Sequence, residues 1–138
     1  MKNSIMLLDE SAIALESLKW IFKDEPYHFF TFDDPNDALS VIGAVEFAVV
    51  VAERSMKNMD GLEFLKRVKE KSPHTLGIIM ASYSGFSDVL DVIVTGCVYR
   101  FVKKPLDNSE IKQAVKVAVN RYEINAQNKR EDLRYVHQ

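Results

Sequence analysis

Five residues whose side chains can do chemistry stand directly after apolar runs of this chain. They are Asp9, Glu10, Glu53, Ser82 and Lys104. In open parallel sheets, ligands bind beyond the carboxyl ends of the strands. If the apolar runs are strands of one parallel sheet, three carboxylates, a hydroxyl and an ammonium group converge on one rim. Carboxylates beside an ammonium group can serve acid–base chemistry or bind a charged ligand.

The elements that must position these residues alternate along the chain. Apolar runs predict five strands, at residues 4–8, 28–32, 47–52, 76–81 and 99–102. Helical spacing predicts helices at 13–22, 38–45, 62–71 and 89–94, and a last helix that begins near residue 108. Runs such as Val49-Val50-Val51 show no period of two, so both faces of their strands are covered. The alternation therefore predicts an α/β fold, a parallel sheet between helices.

Length and composition indicate one ordinary globular domain. The chain has 138 residues, of which 47% are hydrophobic and 28% are charged, and its net charge is −2. That balance gives no sign of a nucleic-acid-binding surface, and every apolar run is far shorter than the roughly 20 residues of a membrane helix. The single Cys97 excludes an internal disulfide and a cysteine-rich zinc site. We find no cleavage site of a signal peptide and expect a cytoplasmic protein.

The strand-end residues resemble those of the receiver domain of bacterial two-component response regulators. The markers are Asp9-Glu10, the segment MKNMDG at 56–61, Ser82, and FVKKP at 101–105, in the family's order and each at a strand end. The resemblance runs from about Ile5 to Tyr122. It implies a flavodoxin-like (βα)5 doubly wound sheet with strand order 2-1-3-4-5, which places the first and third strands side by side. It also implies a cis bond between Lys104 and Pro105.

The resemblance implies a chemistry for the rim. In the family, an acidic pair and a third carboxylate bind Mg²⁺ through oxygens, and the third carboxylate, an Asp, accepts a phosphoryl group from a kinase phosphohistidine. Asp9 and Glu10 match the acidic pair, and Glu53 stands at the acceptor position. The matching switch and phosphate-contact positions are Ser82, Phe101 and Lys104, the last of which neutralises phosphoryl charge.

Three positions depart from the family's pattern. Glu53 replaces the acceptor Asp, the acidic pair is Asp-Glu, and Lys57 replaces the usual Pro of the loop. Glu53 reaches roughly one C–C bond further than Asp, and a misplacement of about 1 Å costs about a hundredfold in rate. Its single charge, against about two for a phosphate, makes it at best a partial mimic of the phosphorylated state. We expect a weakened Mg²⁺ site with Asp9, Glu10 and Glu53 as ligands.

These residues predict an atypical receiver domain that is not phosphorylated in the normal way, is not an enzyme, and acts through protein–protein contacts. The expected partners are a histidine kinase or an output domain, with a second copy in a homodimer and no direct contact to nucleic acid or membrane. Two alternatives stay open. One is a phosphorylatable receiver with unusual acceptor chemistry, and the other is a small α/β enzyme that uses the acidic rim and Lys104.

The end of the chain predicts a second unit of organisation. We assign residues 1–122 to the receiver-like domain and 123–138 to a helical extension or linker. The helix becomes polar beyond Tyr122, and a lone helix of that polarity is marginal. We expect it to pack on a second copy or to lead to another domain. Self-association would use this extension, or the face formed by the fourth helix, fifth strand and fifth helix.

Overall fold

Strands and helices alternate along the chain as the apolar pattern predicts. A computed structural model describes residues 2–82 and 96–136, with side chains of the last helix described through Leu133. The strands are β1 (Ser4–Leu8), β2 (His28–Phe32), β3 (Val49–Glu53), β4 (Leu76–Ala81) and β5 (Arg100–Lys103). The helices are α1 (Ala12–Ile21), α2 (Pro35–Val41), α3 (Gly61–Lys71) and α4 (Asn108–Val136). The helix predicted at 89–94 lies outside the described residues.

All five strands belong to one parallel sheet in the order β2-β1-β3-β4-β5. The predicted order 2-1-3-4-5 and the flavodoxin-like fold are thereby confirmed. In the register, Leu8 of β1 pairs with Ala52 of β3, and Glu53 pairs with Met80 of β4. The carboxyl ends of β1 and β3 therefore lie side by side, which is where the predicted rim requires them.

The hydrophobic core has two layers, one on each face of the sheet. Alternate residues of β1 belong to different layers: Ile5 and Leu7 pack with α1 and α4, whereas Met6 and Leu8 pack with α2 and α3. All four side chains are fully buried. This double burial explains why the strands read as unbroken apolar runs and not as alternating ones.

Polar side chains fix where the shorter helices begin. The side chains of Ser11, Asp34 and Asp60 cap α1, α2 and α3 by accepting hydrogen bonds from backbone N–H groups of the first turn. Helix α2 begins at Pro35, earlier than predicted, because Asp34 caps it and proline suits the first helical position. It also ends earlier, at Val41, shortly before Gly43, whose φ of 99° leaves the helical region.

The last helix is much longer than the others. It has 29 residues and begins after Asp107, whose carboxylate accepts the N–H of Glu110 at 3.0 Å. Its first half is buried through Ile111, Val115 and Ala118, and the helix then continues past Tyr122 without a break. No described helix combines the length and the apolar character that a membrane span needs.

Candidate functional site

An ammonium group joins the ends of two neighbouring strands. Lys104, the residue after β5, donates from Nζ to Oδ2 of Asp9 at 3.1 Å and to Oε1 of Glu53 at 2.9 Å. The side chain of Asp9 is 5% exposed, that of Glu53 15% and that of Lys104 27%. Three of the predicted rim residues are therefore in direct contact and largely shielded from water.

The surroundings of Lys104 act on its proton in opposite directions. Burial lowers the pKa of the ammonium group, because a charged group is less stable away from water. The hydrogen bond that Lys104 donates to Glu53, the negative charges of Glu53 and Asp9, and the hydrogen bond to Asp9 all raise the pKa. Together they outweigh the burial, so the pKa of Lys104 lies above its ordinary value and the group is charged at neutral pH.

Both carboxylate oxygens of Glu53 have hydrogen-bond partners. Oε1 accepts from Lys104, and Oε2 accepts the backbone N–H of Arg54 at 2.7 Å. Asp9 is similarly occupied, since its Oδ1 accepts the N–H of Ser11 at 2.9 Å while Oδ2 binds Lys104. The two carboxylates are thus held in place on both sides.

Glu10 makes different contacts from those of its neighbour Asp9. Its Oε1 accepts the backbone N–H of Lys57 at 2.6 Å, and its Oε2 accepts that of Asn58 at 3.1 Å. The predicted acidic pair therefore divides: Asp9 bonds to Lys104, and Glu10 bonds to the loop after β3. The structure brings Asp9, Glu53 and Lys104 together and places Glu10 against that loop.

The loop between β3 and α3, residues 54–60, is held at both ends. Arg54 and Asp60 form an ion pair across it, and the N–H of Gly61 donates to the carbonyl of Arg54 at 2.9 Å. A Cβ atom at Gly61 would overlap the carbonyl oxygen of Glu53. Only glycine permits this approach, so the start of α3 is packed directly against the end of β3.

The other predicted positions lie at the expected strands. Ser82 directly follows β4 and is exposed. Phe101, in β5, is half-buried against the core layer that α2 and α3 cover. The bond between Lys104 and Pro105 is cis, so that prediction is confirmed. The roles assigned to Ser82 and Phe101 stay predictions.

The carboxylate oxygens of the rim are suitable ligands for a divalent cation, but they are already bonded to other groups. Carboxylate oxygens are the ligands that Mg²⁺ prefers, and Asp9, Glu10 and Glu53 supply them. Yet Lys104 bonds to two of these carboxylates, and backbone amides bond to the third. Within residues 2–82 and 96–136, no three His, Cys, Asp or Glu side chains are placed to hold a metal. To bind the ion, the carboxylates would have to give up these partners, and the predicted metal ligands stay a prediction.

Sequence reasoning missed the contacts that organise the loop. Asn58 donates from Nδ2 to Asp34 at 3.4 Å, which connects the loop to the cap of α2. The ion pair of Arg54 with Asp60 was also not expected. Asp60 was named only as part of the segment MKNMDG. An Asp directly before a helix is a capping residue, and that was the available signal for its role.

Comparison with known proteins identifies the same family from most of the chain. A family model described as the response regulator receiver domain matches residues 5–116. The chain is 26% identical over 123 residues to the transcriptional regulatory protein FixJ of Bradyrhizobium diazoefficiens, covering 88% of this chain and 59% of FixJ. It is 28% identical over 116 residues to the sporulation initiation phosphotransferase F of Bacillus subtilis, covering 84% of this chain and 93% of that protein. It spans only 25% and 27% of two hydrogenase transcriptional regulatory proteins that it also matches.

A solved structure corrects one expectation drawn from the sequence. The adenylate cyclase structure from Rhodopirellula baltica superimposes with a TM-score of 0.89 at 24% identity and covers 97% of this chain and 98% of that one. At this identity the likeness concerns the fold. The prediction that the chain is not an enzyme was wrong as a general exclusion, because the same fold occurs in a protein named as an enzyme.

Proposed function

Because this chain belongs to the response regulator receiver domain family of two-component signalling, we propose that it is an atypical receiver. Glu53 occupies the phospho-acceptor position, the domain is not phosphorylated in the normal way, and it acts through protein–protein contacts. The metal and phosphate chemistry of the family is reduced in this proposal, and the fold serves as a docking unit.

The observation that carries the proposal is the bonding of Glu53. Its side chain ends β3 beside Asp9 and Lys104, with both oxygens hydrogen-bonded. Phosphoryl transfer requires one oxygen to approach phosphorus in line at about 3–3.5 Å. Glu53 is longer than Asp by one methylene and is held by Arg54 and Lys104. Both features support the proposal that its carboxylate oxygen is misplaced for attack on phosphorus. Its fixed negative charge beside Lys104 supports a rim that imitates part of the phosphorylated state.

Receiver domains typically bind Mg²⁺, and we propose that this one binds it weakly. When bound, the ion supplies positive charge for the phosphoryl oxygens. Lys104 already provides one positive charge between Asp9 and Glu53. Glu10, the second residue of the acidic pair, is bonded to the loop instead.

The partners follow from the relatives that the chain resembles. FixJ and the hydrogenase regulators are named as transcriptional regulators and are longer than this chain. We propose that the receiver works beside an output domain or with a histidine kinase, in the cytoplasm, and leaves contact with DNA to a separate domain. Homodimerisation through the extension beyond Tyr122 is part of the same proposal, and is supported by Ile124 and Leu133, which are 48% and 51% exposed.

Intact-mass spectrometry after treatment with a small-molecule phosphodonor tests the proposal. Wild type should show no phosphate adduct and no beryllofluoride adduct, whereas Glu53→Asp should accept either one in the presence of Mg²⁺. Glu53→Gln, which has the length of Glu without its charge, is the matched control and should stay unmodified. An adduct on wild type that Glu53→Gln removes would contradict the proposal. If Glu53→Asp also stays unmodified, acceptor length is not the sole cause, and Glu10 or Lys57 has disabled the site as well.

A further inference from the structure

Glu10 contacts the backbone of a loop that is 47 and 48 residues away in the sequence. We propose that Glu10 is a positioning residue for this loop, residues 54–60, and that the rim is held together by its own side chains without a divalent cation. The inference rests on the proposed function in one respect, since it takes Glu10 as the second residue of the family's acidic pair.

The two bonds of Glu10 use both oxygens of its carboxylate. Oε1 accepts from Lys57 at 2.6 Å and Oε2 from Asn58 at 3.1 Å. Hydrogen bonds from N–H groups to a charged carboxylate are stronger than those to a neutral acceptor. A cation at Glu10 would have to displace at least one of these amides, whose N–H would then need another acceptor.

Side-chain length explains why this position is Glu and not Asp. Asp at position 10 would be shorter by about one C–C bond, and a carboxylate drawn back by that distance would lose N–H···O contacts that fail beyond about 3.2 Å. Both oxygens of Glu10 bond to loop amides, whereas Asp9 and Glu53 bond to Lys104. One methylene therefore favours the loop contact over a shared metal site.

Other residues fix the ends of the loop, and Glu10 holds its middle. Arg54 and Asp60 pair across its base, and the side chain of Asn58 reaches the cap of α2 at Asp34. Glu10 adds the contact to the middle of the loop and connects it to the end of β1. In the remainder of the rim, Lys104 provides the positive charge shared by Asp9 and Glu53.

Amide hydrogen exchange of the full chain, resolved by residue with NMR, tests the proposal. In Glu10→Ala the amides of Lys57 and Asn58 should exchange at least about tenfold faster, as expected for the loss of one charge-assisted bond each. Glu10→Gln keeps an acceptor oxygen and should give a smaller increase. Glu16→Ala, at an exposed position of α1, is the control and should leave both amides unchanged. Millimolar Mg²⁺ should leave both wild-type rates unchanged.

Two results would overturn the inference. Equal exchange of Lys57 and Asn58 in wild type, Glu10→Ala and Glu10→Gln would show that Glu10 does not hold the loop. A saturable Mg²⁺ effect on these amides that Glu10→Ala abolishes would show that Glu10 is a metal ligand. Neither readout depends on phosphorylation, so a phosphate adduct on wild-type Glu53 would contradict the proposed function and leave this inference standing.

Discussion

Nζ of Lys104 lies 2.9 Å from Oε1 of Glu53, although β4 lies between β3, which ends at Glu53, and β5, which Lys104 follows. The bond therefore passes over the carboxyl end of β4 and connects the two strands that flank it. It also neutralises the last residue of β3, which stands at the family's acceptor position. Among the groups that raise the pKa of Lys104, Glu53 has the larger effect and Asp9 the smaller.

Replacing Lys104 by Met should lower the free energy of unfolding by about 2 kcal/mol, because Asp9 and Glu53 would be left as neighbouring carboxylates without a cation. The partial exposure of Lys104 keeps this value below that of a fully buried pair. Urea unfolding measures the loss. Lys112→Met, at an exposed position of α4, is the matched control and should change stability by less than about 0.5 kcal/mol. Similar losses in both variants would show that the pairing contributes little.

Stability should fall at alkaline pH. The pKa of Lys104 is raised in the folded state, because the bonds and charges of Glu53 and Asp9 outweigh burial. A raised pKa means that the stabilisation is complete below the unfolded pKa of about 10.4 and is lost as pH rises through the folded pKa. Burial, followed by the charge and hydrogen bond of Glu46, also raises the pKa of Tyr122, so ionisation of that phenol opposes folding in the same range.

Urea midpoints measured from about pH 8 to about pH 12 give the size of this loss. Lys104→Met should show a shallower decline than wild type, since the contribution of Lys104 is gone while those of Tyr122 and Tyr27 remain. Parallel curves for the two proteins would exclude Lys104 as a source of the pH dependence.

Gly61→Ala should destabilise the domain by about 2 kcal/mol or more, because the new methyl group overlaps the carbonyl of Glu53 and forces β3 and α3 apart. Gly43→Ala is the comparison: its φ of 99° is unfavourable for alanine, but the space around it is open. That variant should lose about 1 kcal/mol from the backbone alone. Thermal melts of both variants measure the loss of stability. A loss in Gly61→Ala no larger than that in Gly43→Ala would contradict the close packing of Gly61 against Glu53.

Light scattering should show that the full chain self-associates and that a chain ending at Tyr122 does so more weakly. The extension carries Ile124 and Leu133 with about half of their surface exposed, and burial of such side chains favours association. Leu133→Glu in the full chain should reduce association without shortening the helix. If the full chain and the shortened chain are both monomeric at high concentration, the extension is not a dimerisation element.

The apolar pattern predicted the sheet well because burial and strand position coincide in a doubly covered parallel sheet. The bounds of β1, β2 and β4 agree with the prediction. Strand β3 begins at Val49, later than predicted, since Phe47 and Ala48 are buried core residues that precede it. A hydropathy pattern records burial and cannot tell such residues from the strand that follows.

The strand ends predicted which residues share the rim but not which of them bond to each other. Asp9, Glu53 and Lys104 meet because the register of β1, β3, β4 and β5 fixes their backbones. The direction of the Glu10 side chain is decided by backbone amides of Lys57 and Asn58. Backbone groups carry no residue-type signal, so no reading of side chains would have found these partners.

Helix α4 runs as one unbroken element from the rim to the opposite end of the sheet, where Glu123 bonds to Asn3 before β1. Its first residue, Asn108, is four residues after Lys104, and its 29 residues extend without interruption to Val136. At 1.5 Å per residue the helix is about 43 Å long. The buried side chains of Ile111, Val115 and Ala118 hold the first half of the helix against the sheet. Beyond Tyr122 about 21 Å of helix remains, and a bend of about 5° at that point carries Val136 sideways by about 2 Å. The direction of the extension is therefore set by the packing of the buried half.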